Sequence, residues 1–370
     1  MKEIVDELII FSDLHAHNFK YGSRRIQAPE YGEGFYNSRL IDSIKVLDEI
    51  QKYAEEHKIH TILFGGDLFH RRSVLHTDAF NLVYNKLVGI GYWHEVHLIP
   101  GNHDYADRHG KIHSLEPFNN VDGPMITVWD KVDWEATQRG TQIVYVPYTD
   151  DLDEARRRLT VAGDLADELD GPSILLAHLG MQGAVVGSNY VLVSDNDVSV
   201  SDVPQDSFSA CFFGHFHEHQ QLFKNGWFIG STHEDNWGDS GGKRGFLHVR
   251  VYDDNSVDFD RIETQAPKFI EYSLGDTKPD FRSCDFVRVH VPKGLRGVKA
   301  DVPEELECAN LEVVEEVDNE EIVFTLEADQ LDPESALSAW VEAHPPDNVD
   351  SKMAIEEGVS ILREITGDMQ

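Results

Sequence analysis

Five short apolar runs in this chain end in the same way. Glu7–Ser12 leads into Asp13-Leu14-His15, Ile59–Phe64 into Gly65-Gly66-Asp67, and His94–Ile99 into Pro100-Gly101-Asn102-His103-Asp104. Ser173–Ala177 leads into His178-Leu179-Gly180, and Ala210–Phe213 into Gly214-His215-Phe216-His217. Apolar runs without polar alternation read as strands buried on both faces, as in a parallel sheet covered by helices. In such α/β sheets the loops after the strand C-termini carry the ligands. Each ending by itself is an ordinary Asx turn or a solvated histidine. Five in succession, offering only carboxylate, imidazole and amide, are not what core packing selects. They point to a site for two metal ions, and the donor types suit Mn, Fe or Zn. The glycines before Asp67 remove bulk where its carboxylate must reach, and Gly214 allows close backbone approach. If the strand continues past Gly214, His215 and His217 share one face of it.

The rest of the chain supplies the scaffold. Helices are expected over residues 37–57, capped by Asn37 or Ser38, over 76–90, and over Asp151–Leu165. Ile126–Trp129, Gln142–Val146 and Gly226–Gly230 read as further strands, and 245–251 with 256–262 as a hairpin turning at Asp253-Asp254-Asn255. Ala266-Pro267-Lys268 reads as a linker. Beyond it come the strand-like segments Phe269–Leu274, Asp285–Val291, Leu311–Val317 and Ile322–Leu326, with a short helix near Pro303–Cys308. Two closing helices, Pro333–Ala343 and Ser351–Ile365, are split by Pro345-Pro346.

Charge sets the odd boundary condition. The net charge is −35, which argues against a nucleic-acid binder. The acidity is uneven, since residues 301–370 hold 21 acids against two bases, Lys352 and Arg363. The other bases cluster near the strand ends: Lys20, Arg24 and Arg25; Arg71 and Arg72; Arg156, Arg157 and Arg158; Lys243 and Arg244. Such clusters suggest an anion-handling rim on an acidic body. An acidic surface with few lysines is also what a high-salt cytoplasm favours. Three cysteines without metal-like or redox-like spacing imply a reducing, cytoplasmic setting. No apolar run approaches membrane-spanning length, and no signal-peptide pattern is expected.

Taken in order, Asp-x-His, Gly-Asp, Gly-Asn-His-Asp, His and Gly-His-x-His resemble the motifs of the calcineurin-like metallophosphoesterases. Within them, Gly66-Asp67-Leu68-Phe69-His70, and Gly230-Ser231-Thr232 followed by Trp237-Gly238, resemble the SbcD-type nuclease subunit of DNA double-strand-break repair. The pattern departs from that family at His17, where a glycine is usual, and at Val74-Leu75, where Pro-Ser is common. The resemblance implies a four-layer α/β sandwich flanked by helices over residues 1–265, a small α+β cap over 266–328, and an acidic C-terminal helical segment over 329–370. It implies that Asp13, His15 and His217 hold one metal, that Asn102, His178 and His215 hold the other, and that Asp67 bridges. Two Mn²⁺ ions are the expected cofactor, with Fe or Zn as alternatives. His103 would be the general acid or a transition-state stabiliser, and Asp104 would orient an imidazole. The implied substrate is DNA, cut from duplex ends and within single strands or hairpins. An SbcC-type SMC-like ATPase would dock on the C-terminal segment, and the chain would pair as a homodimer. The competing reading is a stand-alone phosphodiesterase or phosphatase acting on small nucleotides or phosphoproteins.

Overall fold

The computed structural model describes residues 2–107, 111–186, 190–191, 197–277, 279–292 and 310–315, together with Val341, Lys352, Met353, Ile355, Gly358 and Val359, which are helical. The chain divides into two compact units, Met1–Glu315 and Glu316–Gln370. The strand expected at Ile322–Leu326, the helix near Pro303–Cys308 and, apart from those six residues, the closing helices lie outside the described residues.

Alternation along the buried strands builds the first unit. In chain order its main strands are β1 (Ile4–Phe11), β2 (Thr61–Phe64), β3 (Glu95–Leu98), β4 (Ile126–Val128), β5 (Asp133–Ala136), β6 (Gln142–Val146), β7 (Ser173–His178) and β8 (Ala210–Gly214). They continue with β9 (Gln220–Phe223), β10 (Gly226–Phe228), β11 (Gly245–Tyr252), β12 (Val257–Glu263), β13 (Phe269–Ser273), β14 (Phe286–Val291) and β15 (Asn310–Glu315). One sheet runs β12-β11-β1-β2-β3-β4 and a second β9-β10-β8-β7-β6-β5; β12-β11-β1 are antiparallel in the first, β9-β10 and β6-β5 in the second, and the remaining pairs are parallel. Leu8 and Ile10 of β1, Leu63, Leu247 and Val249 turn inward to meet Tyr145, Ile174, Leu176 and Phe212 of the second sheet. Their neighbours Ile9, Phe11, Ile62 and Phe64 turn outward and pack under α1 (Ser38–His57) and α2 (Thr77–Gly91). Val144, Leu175 and Phe213 do the same under Ala155, Leu159 and Ala162 of α3 (Leu152–Asp167). The result is the expected α/β arrangement of four layers: helix, sheet, sheet, helix.

Asn37 is the cap of α1, its side chain accepting from Arg39 N and Leu40 N. Among the main strands, two escaped the sequence pattern. β5 and β9 are edge strands of mixed polarity, so the apolar run that marks a central strand is absent from them. β13, β14 and β15 pair in parallel as a third, three-stranded sheet within the first unit. Among the described residues no helix is long and apolar enough to cross a membrane.

Candidate metal centre

The strand ends converge. Asp13 and His15 follow β1, Asp67 follows β2, and Asn102 and His103 follow β3 on the first sheet; His178 closes β7, and His215 and His217 follow β8 on the second. The backbone bends sharply to present them. Asp13, His15, Asp67 and His215 have φ of 53°, 45°, 63° and 107°, and among the described residues only Lys58 and Asn255 join them as non-glycine residues with positive φ. Lys58 ends α1 and Asn255 lies in the hairpin turn. Conformations of this kind cost about 1–3 kcal/mol each and persist where surrounding structure enforces them. At Gly66, with φ 101°, an added Cβ would collide with the His178 ring. β8 ends at Gly214 and the chain turns at His215, so the pleat of a strand does not space the two histidines as expected.

Three overlapping groups of side chains have ligand atoms within 4.8 Å of one another: Asp13, His15 and His217; His15, Asp67 and His103; and Asp67, His178 and His215. His215 and His217 therefore fall in different groups, and Asp67 lies in two. His178 Nδ1 donates to Gly65 O at 2.7 Å, which turns Nε2 toward Asn102 Oδ1 at 3.0 Å and Asp67 Oδ2 at 3.5 Å. Asn102 Oδ1 is also 2.8 Å from His215 Nδ1. His15 Nε2 stands 3.6 Å from Asp67 and 3.8 Å from Asp13, and neither ring nitrogen of this buried histidine makes a hydrogen bond. His103 N donates to Asp67 Oδ1 at 2.7 Å, and its Nδ1 meets His70 O.

The electrostatics ask for cations. Burial disfavours a charged His178, yet Asp67 and Asp13 outweigh it and raise its pKa to about 9. His217 is likewise raised to about 9, burial being outweighed by the hydrogen bond from its Nδ1 to Asp239 Oδ1 at 2.9 Å. Burial, and then the neighbouring His178, lowers His215 to about 3. Burial would raise the Asp67 carboxyl, but the surrounding imidazoles reverse this and hold it ionised. Buried carboxylates flanked by imidazole nitrogens, with both ring nitrogens of His15 lacking a hydrogen bond, fit a pair of divalent cations.

Two supporting acids were not foreseen. Asp239 receives His217 Nδ1 and the backbone N–H groups of Asp235 and Asn236. Asp235 Oδ1 pairs with His17 Nε2 at 2.7 Å and Arg39 Nη2 at 3.3 Å, and its Oδ2 lies 3.3 Å from His70 Nδ1. Asp239 is thus placed to fix the ring orientation of His217. The signal was present as two acids bracketing Asn236-Trp237-Gly238, but acids in a loop are common. His17 and His70, outside the expected ligand set, are the imidazoles that meet Asp235.

Two expectations are corrected. Asp104 does not orient an imidazole. Its carboxylate accepts from the amides of Asp67, Leu68, Phe69 and Gly101 and from the Ser114 hydroxyl, so it ties two ligand loops together. Burial, and then Asp67, raises it to about 7. The basic clusters are not a uniform rim either. Arg244 is buried, donating to His217 O, Asp239 O and Glu218, while Arg157 and Arg158 both pair with Glu154.

Fold and site together define a metal-dependent hydrolase of phosphoesters. Residues 7–219 match the calcineurin-like phosphoesterase family, and the chain belongs to it. Among curated proteins no sequence matches. Similar solved structures include a dimetal phosphatase from Danio rerio, at 10% identity over 68% of this chain and 94% of that one, with a TM-score of 0.43. GAP50, the anchor in the inner membrane complex of Plasmodium, is similar at 11% identity over 70% and 89%, TM-score 0.45. Purple acid phosphatase PPD1 from yellow lupin (Lupinus luteus) seeds is similar at 11% identity over 70% of this chain and 52% of that enzyme, TM-score 0.41.

Proposed function

We propose that this protein is a two-metal DNA nuclease of the SbcD type, hydrolysing phosphodiesters at duplex ends and in single strands or hairpins, and working with an SbcC-type ATPase. The observation that carries the hydrolytic reading is the convergence of Asp13, His15 and His217 beside Asp67, His178 and His215, with the Asn102 amide between two of the imidazoles and His103 alongside. Asp13, His15 and His217 would hold one ion, Asn102, His178 and His215 the other, with Asp67 shared. When bound, two such ions, Mn²⁺ first, supply an ionised water and neutralise the phosphate oxygens. His103 Nδ1 donates to the His70 carbonyl, which leaves Nε2 as the ring's free end; as an imidazolium it would hand the Nε2 proton to the departing sugar oxygen and be left as the neutral Nδ1–H tautomer. Asp104 keeps the Asp67 and Asn102 loops in register.

The DNA-specific part rests on the extended second motif and on the third sheet. That sheet is tied to the loop carrying Asp239: Phe269 N donates to Glu234, Ser240 Oγ donates to Phe269 O at 2.6 Å, and Arg288 lies 3.9 Å over the Trp237 ring. A cap fastened there would shape the approach of a long substrate. We assign the capping role to residues 266–328 and ATPase docking to 329–370. The acidity favours a second reading, a phosphodiesterase of small nucleotides, because a −35 chain repels polyanions without a cationic partner.

Purified protein with Mn²⁺, offered end-labelled duplex DNA and a small phosphodiester, separates the readings. Cutting of both is expected, with DNA cutting falling roughly 10²–10⁴-fold in His103→Ala. Cutting of the small ester alone, even with the ATPase added, leaves the second reading. Equal DNA cutting by the variant sinks the role of His103.

A further inference from the structure

One strand end beside the centre supplies no proposed ligand. β6 runs into Pro147-Tyr148-Thr149-Asp150, and Tyr148 N donates to Pro100 O at 3.1 Å, which binds this end to the Asn102 loop. Arg158 Nη1 donates to both Pro147 O and Tyr148 O while its Nε donates to Glu154, so its charge is spent holding the turn. A cleft of about 260 Å³ opens here, starting at Asn102 and lined by Tyr105, Tyr148, Arg72, Asp107 and Asp150 among others. The half-buried Tyr148 ring forms its wall nearest the site. It lies nearly parallel to the His215 ring, at 22° and 6.2 Å, and edge-on to His178 at 6.0 Å.

We propose that this cleft is a nucleoside subsite, with Tyr148 as the platform for the base or sugar attached to the scissile phosphate; this rests on the phosphodiesterase reading of the metal centre. Three features select that ligand class. The cleft is continuous with Asn102, so a group in it is joined to a phosphate at the centre through a single ester. Its volume sits just below the range of small-molecule pockets, about 300 Å³ and up, and so suits one nucleoside rather than a length of chain. Its charge is wrong for a second phosphate: Asp107, Asp150, Asp151 and Glu154 line it with Arg72 and Arg158, and even with Glu154 neutralised by Arg157 and Arg158 the carboxylates are in excess. Base amino groups and sugar hydroxyls are donors that such carboxylates accept, while an aromatic wall serves any base because every base has a π-face.

The test is competitive inhibition and calorimetric binding in Mn²⁺, with inorganic phosphate, 2′-deoxyadenosine 5′-monophosphate and the corresponding 3′,5′-bisphosphate as probes. The monophosphate should bind roughly 10-fold tighter than inorganic phosphate, a margin in the range of one base stack. Tyr148→Leu should erase that margin with phosphate affinity unchanged, and Tyr148→Phe should keep it. The bisphosphate should gain nothing over the monophosphate. Equal affinity for phosphate and monophosphate in the unaltered protein, loss of the margin in Tyr148→Phe, or weakening of phosphate along with the monophosphate in Tyr148→Leu would each overturn the subsite. Failure of the hydrolytic reading has a separate signature, since the protein would then cleave no phosphodiester whatever its nucleotide binding.

Discussion

The two sheets contribute unlike halves of one centre. The first sheet brings both carboxylates, the amide, His15 and His103; the second brings His178, His215 and His217. Three of the four site residues with strained backbone, Asp13, His15 and Asp67, follow strands of the first sheet, whereas His178 sits inside a regular strand, paired with Gly214 across β7 and β8. Negative charge and strain thus sit mainly on one side and neutralising imidazoles on the other. Neither sheet by itself holds the group formed by Asp67, His178 and His215. The distance between the two halves is set by the inter-sheet core of Leu8, Ile10, Tyr145, Leu176 and Phe212, so packing two sheets about 10 Å apart is part of building the site.

The division between the sheets matters most at Asp67, the carboxylate shared by two groups. Asp67→Ala should abolish hydrolysis and Mn²⁺ binding by calorimetry while leaving the far-ultraviolet circular dichroism unchanged; retained stoichiometric binding of two ions would contradict its bridging place. Next in size is the inter-sheet core. Phe212→Ala should cost about 3–5 kcal/mol by urea unfolding, and Mn²⁺ affinity should drop with it although no ligand is touched. Unchanged affinity would mean that the halves are held by the loops alone. On the second-sheet side, Asp239→Asn should lower metal affinity or activity roughly 10–100-fold, because the His217 ring loses its carboxylate. An equal loss in a variant of an exposed acid such as Asp254 would remove that explanation.

The smallest effect concerns the outer helical layer of the first sheet. Burial, partly offset by Lys45 and Arg39, raises Asp42 to about 6. A folded-state pKa above the unfolded value means that the native state holds the proton more tightly. Stability is therefore lost as pH rises from about 4 to about 6. Asp42→Asn should leave stability unchanged near pH 4 and raise it by roughly 1–2 kcal/mol at pH 8. Equal unfolding curves at pH 8 would show the carboxylate to be well solvated.

Much of this was legible in the chain. Central parallel strands are buried on both faces, so β1, β2, β3, β7 and β8 appear as apolar runs, and their ends stand out because polar residues interrupt abruptly. Edge strands such as β5 and β9 carry no such contrast. Asp235 and Asp239 were passed over because an acid in a loop means little until the fold delivers a histidine to it. The role that the resemblance implies for Asp104 fails for the converse reason: its carboxylate reaches a backbone amide 37 residues away at Asp67, a contact that no local pattern announces.

Sequence by itself determined which side chains are available, that they lie after strands, and that a parallel α/β sheet gathers such ends along one edge. Those are local facts of periodicity and chain direction. Which donors come within reach of one another is a matter of tertiary structure, because it depends on how two sheets pack and on φ angles at single residues. His215 and His217 show the division. Two residues apart, they look like neighbours on one strand face, yet a turn of φ 107° at His215 sends one imidazole to Asn102 and the other to Asp239.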